Sequence, residues 1–390
     1  MAAMDSRAGG RVWPGHATGR PSEMGMKWPG LVCYDARPSR TSQEQERPVT
    51  QSSLNADPRL TRRDFVKGAG FLAAAALASP GPTVLRAEEK PAGDATPAVP
   101  RRVLGRTGVE VSILGLGTAL LGHQNQNQPE IPKLIDVFSE AVDRGVSYVD
   151  TGRIYGGAEE ALKSVLKTRR EKVFLVTKVW ADTAEEAEKS FQESLEKLGV
   201  ESVDLLHLHS VGNRDVDKVL APGGAWGQLE KLKKAGKARF LGITGHSKPL
   251  TFVRLLETGN VDVLMCAMNF VDRFVYGFEE KVLPVAVKHK TGVMAMKVYG
   301  GVKGGFQNYG APRPFPSQLA VEHHTRSIAY VKTLEGVTGM VIGAHTREQL
   351  LENIRRVVET KPLSKDELEK ALEEGKKIAA GWTPRFGPVA

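Results

Sequence analysis

From residue 101 onward, short apolar runs alternate with amphipathic stretches of helical period. The runs at 113–118, 147–150, 173–179, 203–209, 240–244, 261–269, 292–296 and 339–343 are bounded by glycine or polar residues. Such continuous apolar runs are what strands buried on both faces show. The stretches at 132–143, 183–198, 226–235 and 347–358 repeat apolar residues at helical spacing. Glu186 with Ser190, and Glu193 with Lys197, then fall on one polar helical face. Eight strands, each followed by a helix, predict a parallel α/β sheet, and eight is the number that closes a (β/α)8 barrel. Residues 101–362 are long enough for one. Ahead of it, 103–105 and 109–112 flank Arg106-Thr107-Gly108 as an N-terminal β-hairpin. The tail, 363–390, carries a charged amphipathic helix at 364–379, expected to close over the barrel or pack at its side. No G-x-G-x-x-G opens a helix after the first strand, which argues against a Rossmann fold. Gly115 and Gly117 fit tight backbone packing instead.

The first hundred residues have another character. Residues 1–60 are rich in Arg, Gly, Pro, Ser and Gln without apolar period and are expected to be disordered. Thr61-Arg62-Arg63-Asp64-Phe65-Val66-Lys67 then precedes a weakly apolar run, Gly68 to Ala78. That run is too short and alanine-rich for a stable membrane span. Residues 61–87 resemble a twin-arginine (Tat) export signal, with cleavage expected after Ala76-Leu77-Ala78 or after Ala87. The resemblance implies passage through the Tat machinery to a periplasmic location; a cytoplasmic protein results if the signal is not used. A signal ordinarily starts a chain, so the true start is expected downstream of Met1. Residues 88–100 read as a Pro/Ala linker.

Composition narrows the classes. The net charge of +9 is spread through helical stretches and mixed with Glu, so no basic stripe for nucleic acid emerges. Cys33 and Cys266 are too few and too far apart for a disulfide framework, a cysteine zinc site or an iron–sulfur cluster.

Chemistry in a barrel collects at the C-terminal strand ends. There the chain places Asp150 and Tyr155, Lys178, His209, Thr244 and His246, and Asn269. An ammonium beside a phenol favours the phenolate, and a carboxylate can hold that ammonium. Tyr155 can then pass a proton to a carbonyl oxygen that His209 orients. The missing part is a reductant, which implies a hydride-donating cofactor. A second reading makes His207 and His209, which share one strand face, a metal site with Asp150 for barrel hydrolysis. Arg153 is read either as a selector of anionic substrates or as a solvent-facing arginine.

Asp150-Thr151 with Tyr155-Gly156, Thr177-Lys178-Val179, and Asp204-Leu205-Leu206-His207-Leu208-His209 resemble, in order and spacing, the active-site motifs of the aldo/keto reductase family. Ile342 to Asn353 is similar to its eighth-strand nucleotide signature, and Met294 to Lys297 with Gly300 to Gly305 to its seventh-strand phosphate loop. The resemblance spans about 103–360. It implies a TIM barrel, a tetrad of Asp150, Tyr155, Lys178 and His209, and extended NADP(H) across the mouth, with NADP(H) favoured over NAD(H). Gly343, His345, Arg347, Gln349 and Asn353 are implied at the adenosine end, with Thr346 at the frequent basic position. Gly117, Thr118, Thr244, Gly245, Asn269, Met296, Lys297 and Gly300 are implied along the rest of the cofactor. The chain departs from the family at Gly242-Ile243-Thr244-Gly245-His246, at Met265 in place of a glutamine, and at Met296 in place of a tyrosine. No C-terminal cysteine cluster supports an iron–sulfur route. The expected activity is reduction of a small aldehyde or ketone, or the reverse oxidation. The alternative is a redox-sensing or binding module that retains its nucleotide.

Overall fold

The structure is a computed structural model that describes residues 96–121, 131–308 and 316–390. All belong to one compact unit, Leu85–Ala390. The predicted leader and signal-like segment, and the linker as far as residue 95, lie outside the described residues.

A hairpin of β1 (Arg101–Val103) and β2 (Glu110–Ser112) opens the fold. Then follow β3 (Leu114–Gly117), α1 (Ile131–Asp143), β4 (Tyr148–Asp150), α2 (Ala158–Arg169), β5 (Phe174–Val179), α3 (Ala184–Leu198) and β6 (Val203–Leu208). Helices α4 (Val216–Leu220) and α5 (Ala225–Lys234) lead to β7 (Ala238–Gly245), α6 (Pro249–Leu256) and β8 (Val263–Ala267). Helices α7 (Phe278–Lys281) and α8 (Leu283–Lys288) precede β9 (Gly292–Met296), α9 (His324–Thr333), β10 (Val337–Ile342), α10 (Arg347–Glu359) and α11 (Lys365–Ala379). Strands β3 to β10 pair in parallel in sequence order, and β10 closes on β3 through Met340 opposite Leu114. This is the (β/α)8 barrel that the alternation predicts. The last strand begins at Val337, earlier than the apolar run indicates, because a register shift between Val337 and Gly339 absorbs the extra residue.

Helix ends follow local chemistry. Thr183 and Glu186 form a reciprocal capping box at α3, and Gly199 ends that helix with φ 66°. Ser364 and Glu367 repeat the box at α11. Strand N-termini are tied by buried carboxylates. Asp204 accepts from the Leu175 amide at 2.8 Å and from Arg239 at 2.6 Å.

Two apolar layers result. One lies between strands and helices; the other fills the barrel with Tyr148, Phe174, Val176, Leu205, Met265, Met294 and Met296. Tyr148 stacks on Phe174 with centroids 5.6 Å apart. The hairpin seals the floor, where Leu104 and Val111 join the inner layer. Its turn is held by the Arg106 amide donating to the Lys290 carbonyl at 2.7 Å. Gly105 (φ 49°) permits this approach, since a Cβ there would lie 2.2 Å from the Gly292 nitrogen.

Outside the barrel, Glu279 at α7 is buried, and the Tyr330 hydroxyl donates to it at 3.1 Å. Burial pushes its carboxyl up to about 8. The native state therefore keeps a proton that the unfolded chain releases near 4.5. Stability from this group is full below that value and is lost as pH rises through about 8, a fall on the order of a few kcal/mol. Urea unfolding at both ends of this window should show Glu279→Gln removing most of this group's share of the fall. Equal pH slopes for the two proteins would contradict a buried, protonated Glu279.

Candidate active site

Lys178 on β5 points into the barrel with no exposed surface, while its neighbour Thr177 faces the helices. The Lys178 ammonium donates to Asp150 Oδ1 at 2.7 Å and to the Thr151 carbonyl at 2.5 Å. Burial moves both side chains toward their neutral forms, lysine down and aspartate up, and their mutual attraction opposes it. The same ammonium lies 4.5 Å from the Tyr155 ring centroid.

Tyr155 sits on the loop between β4 and α2. That loop is tied down by the Arg153 amide donating to the Lys178 carbonyl at 3.3 Å. The Arg153 guanidinium reaches Glu159 at 2.8 Å and Glu193 at 3.3 Å. Glu159, buried at the start of α2, also accepts from the Thr177 hydroxyl at 2.8 Å. Arg153 is thus a loop anchor, neither the anion selector nor the solvent-facing side chain of the two sequence readings.

His209 follows β6, where its amide donates to the Val179 carbonyl at 2.9 Å. Its ring meets Tyr155 edge-on at 5.7 Å and Trp180 edge-on at 5.5 Å. His207 is separate. It packs inside the barrel against Gly242, where a Cβ would lie 2.4 Å from its Nδ1. Burial holds its ring neutral by pushing its pKa well below the usual histidine value. Among the described residues no group of three or more His, Cys, Asp or Glu side chains is placed to hold a metal ion. Tyr155 and His209 open onto a cavity of about 550 Å³ whose wall includes Trp180, His246, Lys297 and Phe306.

The aldo/keto reductase family model matches residues 113–324. The chain belongs to this family. It is 28% identical over 316 residues to L-galactose dehydrogenase of Arabidopsis thaliana, covering 71% of this chain and 95% of that one. It is 26% identical over 319 residues to pyridoxal 4-dehydrogenase of Microbacterium luteolum, covering 65% of this chain and 92% of the relative. In fold it is similar to an aldo-keto reductase of Bacillus halodurans, at TM-score 0.56, 21% identity, 71% of this chain and 96% of that one. The chain is thus an oxidoreductase of the NAD(P)H-using kind.

The residues implied for that cofactor divide. Thr244, next to last in β7, has a buried hydroxyl with no hydrogen-bond partner among the described residues, which suits a carboxamide. Gly117 and Gly343 bring the ends of β3 and β10 together, since a Cβ at Gly343 would lie 3.0 Å from the Gly117 carbonyl. Gly245 is closed in by Phe252, and the Thr118 hydroxyl is spent on the Asp150 carbonyl at 2.9 Å. Met296 belongs to the inner apolar layer. Thr346 caps α10, and the Gln349 side-chain oxygen accepts from the His345 amide at 2.8 Å. Arg347 opens α10 and reaches Glu140 at 3.0 Å. Asn353 braces this strand end, donating to the Gly343 carbonyl at 3.2 Å and accepting from the Tyr299 hydroxyl at 3.0 Å.

Asn269 is committed within its own loop. Its amide donates to Asp272 at 2.6 Å and to the Lys297 carbonyl at 3.0 Å, and its oxygen accepts from the Val271 and Asp272 amides. Lys297 itself has φ 56°, a left-handed conformation that costs a non-glycine residue about 1–2 kcal/mol. The glycine-rich loop after it carries the chain's own tail. Arg385 donates to the Gly300 carbonyl at 2.7 Å and forms a two-bond pair with Asp272 at 2.9 and 2.7 Å. Phe386 is buried against His246 and Phe306 at 5.2 and 5.3 Å. Neither Phe386 nor Arg385 carries a sequence signal. Trp180 carried one, being two residues beyond Lys178 at a strand end.

The ion pair yields a stability prediction. Asp150→Ala leaves an ammonium buried without its carboxylate and should cost about 3–5 kcal/mol in urea unfolding. Asp150→Leu combined with Lys178→Met should cost much less. Equal losses for the two proteins would show that the pair is not what holds this wall.

Proposed function

We propose that this reductase converts an aldehyde or ketone to an alcohol, or runs the reverse, with NADP(H) favoured over NAD(H). The observation that carries the reading is the run of contacts from Asp150 through Lys178 to the Tyr155 ring and on to His209, the last two of which line one cavity. The two relatives, an L-galactose dehydrogenase and a pyridoxal 4-dehydrogenase, support the same class of chemistry.

Thr244 would grip the carboxamide of a nicotinamide nucleotide, and the N-terminus of α10 with Arg347 would receive its adenosine-side phosphate. A bound nicotinamide supplies the hydride. The protein supplies the proton and the charge. A carbonyl in the cavity faces Tyr155 and His209, which fix its oxygen by hydrogen bonds. As that oxygen gains electron density, Tyr155 gives up its phenolic proton to it. Negative charge then builds on the phenol beside the Lys178 ammonium, which stabilises it, while Asp150 keeps the ammonium in place.

The test is nucleotide oxidation by the full-length protein on a panel of aldehydes, with Tyr155→Phe in parallel. Turnover should fall about 100- to 10,000-fold in the variant. NADPH should still quench the protein's fluorescence with unchanged affinity. Undiminished turnover would remove Tyr155 from the proton-transfer role.

A further inference from the structure

The part of the cavity wall beyond Tyr155 and His209 is built to receive negative charge. Lys297, His246, Asn213 and Ser210 line it, and no carboxylate lines it among the described residues. Among the described residues, Asp150 is paired with Lys178 at 2.7 Å and Asp272 with Arg385 at 2.7 Å. His246 is only 6% exposed, and its Nε2 has no hydrogen-bond partner among the described residues. A buried ring nitrogen on a cavity wall with its bonding capacity unspent is a place for a guest. Burial, with Lys297, Lys178 and Arg385 around it, holds this ring neutral. In its Nε2–H tautomer it donates without adding charge.

The lysine is also fixed in place. Its left-handed backbone is held by two bonds to its carbonyl, from Asn269 Nδ2 at 3.0 Å and from the Gly300 amide at 2.7 Å. Asn269 is in turn bonded to Asp272, which Arg385 of the tail clamps. The strain is therefore paid through a network that ties the lysine's backbone to the cavity wall.

We infer that the reductase selects carbonyl compounds bearing a carboxylate, with Lys297 as its ion-pair partner and His246 Nε2 as its hydrogen-bond donor. The inference rests on the reductase reading for the carbonyl end of the molecule. Trp180 and Phe306 supply apolar walls for an aryl or alkyl spacer between the two ends. Lys297 and His246 are specificity-determining residues here, distinct from Tyr155 and His209.

The experiment is calorimetric titration of the full-length protein, without added nucleotide, with benzoate and with its neutral isostere benzamide. Benzoate should bind about tenfold or more tightly than benzamide, the scale of one charge-assisted hydrogen bond. Lys297→Met should bring the ratio close to one, and Lys297→Arg should retain most of it. His246→Phe should lower the ratio as well, and melting curves check that each variant is folded. A wild-type ratio near one overturns the inference. So does a ratio that survives Lys297→Met, above all if NADPH affinity falls instead, which would assign the lysine to the nucleotide. A parallel assay compares para-carboxybenzaldehyde with benzaldehyde, and the acid should show the lower KM. A benzoate preference that depends on Lys297, without reduction of either aldehyde, would uphold the anion site and defeat the reductase reading.

Discussion

One ammonium has to stay charged inside a barrel that excludes water. Lys178 has no exposed surface, and burial alone would drive it toward the neutral amine. Asp150 at 2.7 Å and the Thr151 carbonyl at 2.5 Å are what oppose that. Both partners lie at the end of β4, so the pair also sets where the following loop begins. That loop carries Tyr155, whose ring covers the ammonium at 4.5 Å. Electrostatics and loop geometry are thus one problem with one solution.

The remainder of the fold keeps this arrangement rigid. The hairpin stops the barrel floor with Leu104, so the interior layer beneath Lys178 has no open end. Thr177 reaches Glu159, and Glu159 reaches Arg153, so the strand bearing the lysine and the loop bearing the tyrosine share one polar brace. Across the mouth, the tail after α11 is clamped by Arg385 on Asp272 and roofed by Phe386. It lies over the glycine-rich loop and shapes the wall where His246 and Lys297 sit.

Much of this was legible in the sequence, for a physical reason. Strand ends in a parallel barrel all face one way, so polar residues ending consecutive apolar runs must meet; Asp150, Lys178 and His209 follow from that alone. Tyr155 needed only a short loop. What was not legible depended on partners far away in the chain. Asp272 and Arg385 are 113 residues apart and show no pattern that joins them. Asn269 ends an apolar run as a cofactor ligand would, yet its amide is consumed by Asp272 and Lys297. Arg153 looks free in sequence because Glu159 and Glu193 reach it from two different helices. Lys297, read with the phosphate loop, lines the same cavity as Tyr155, a placement that a left-handed residue in a loop does not announce.

In the proposed mechanism, hydride delivery to a carbonyl is coupled to a proton from Tyr155 across a charged Lys178. The most direct measurement is a single turnover with NADPH deuterated at the nicotinamide, comparing the wild-type protein with Lys178→Met. Deuterium should appear on the carbinol carbon of the product, and transfer should be much slower in the variant, with nucleotide still bound. Product without deuterium, or a variant as fast as the wild type, would contradict it.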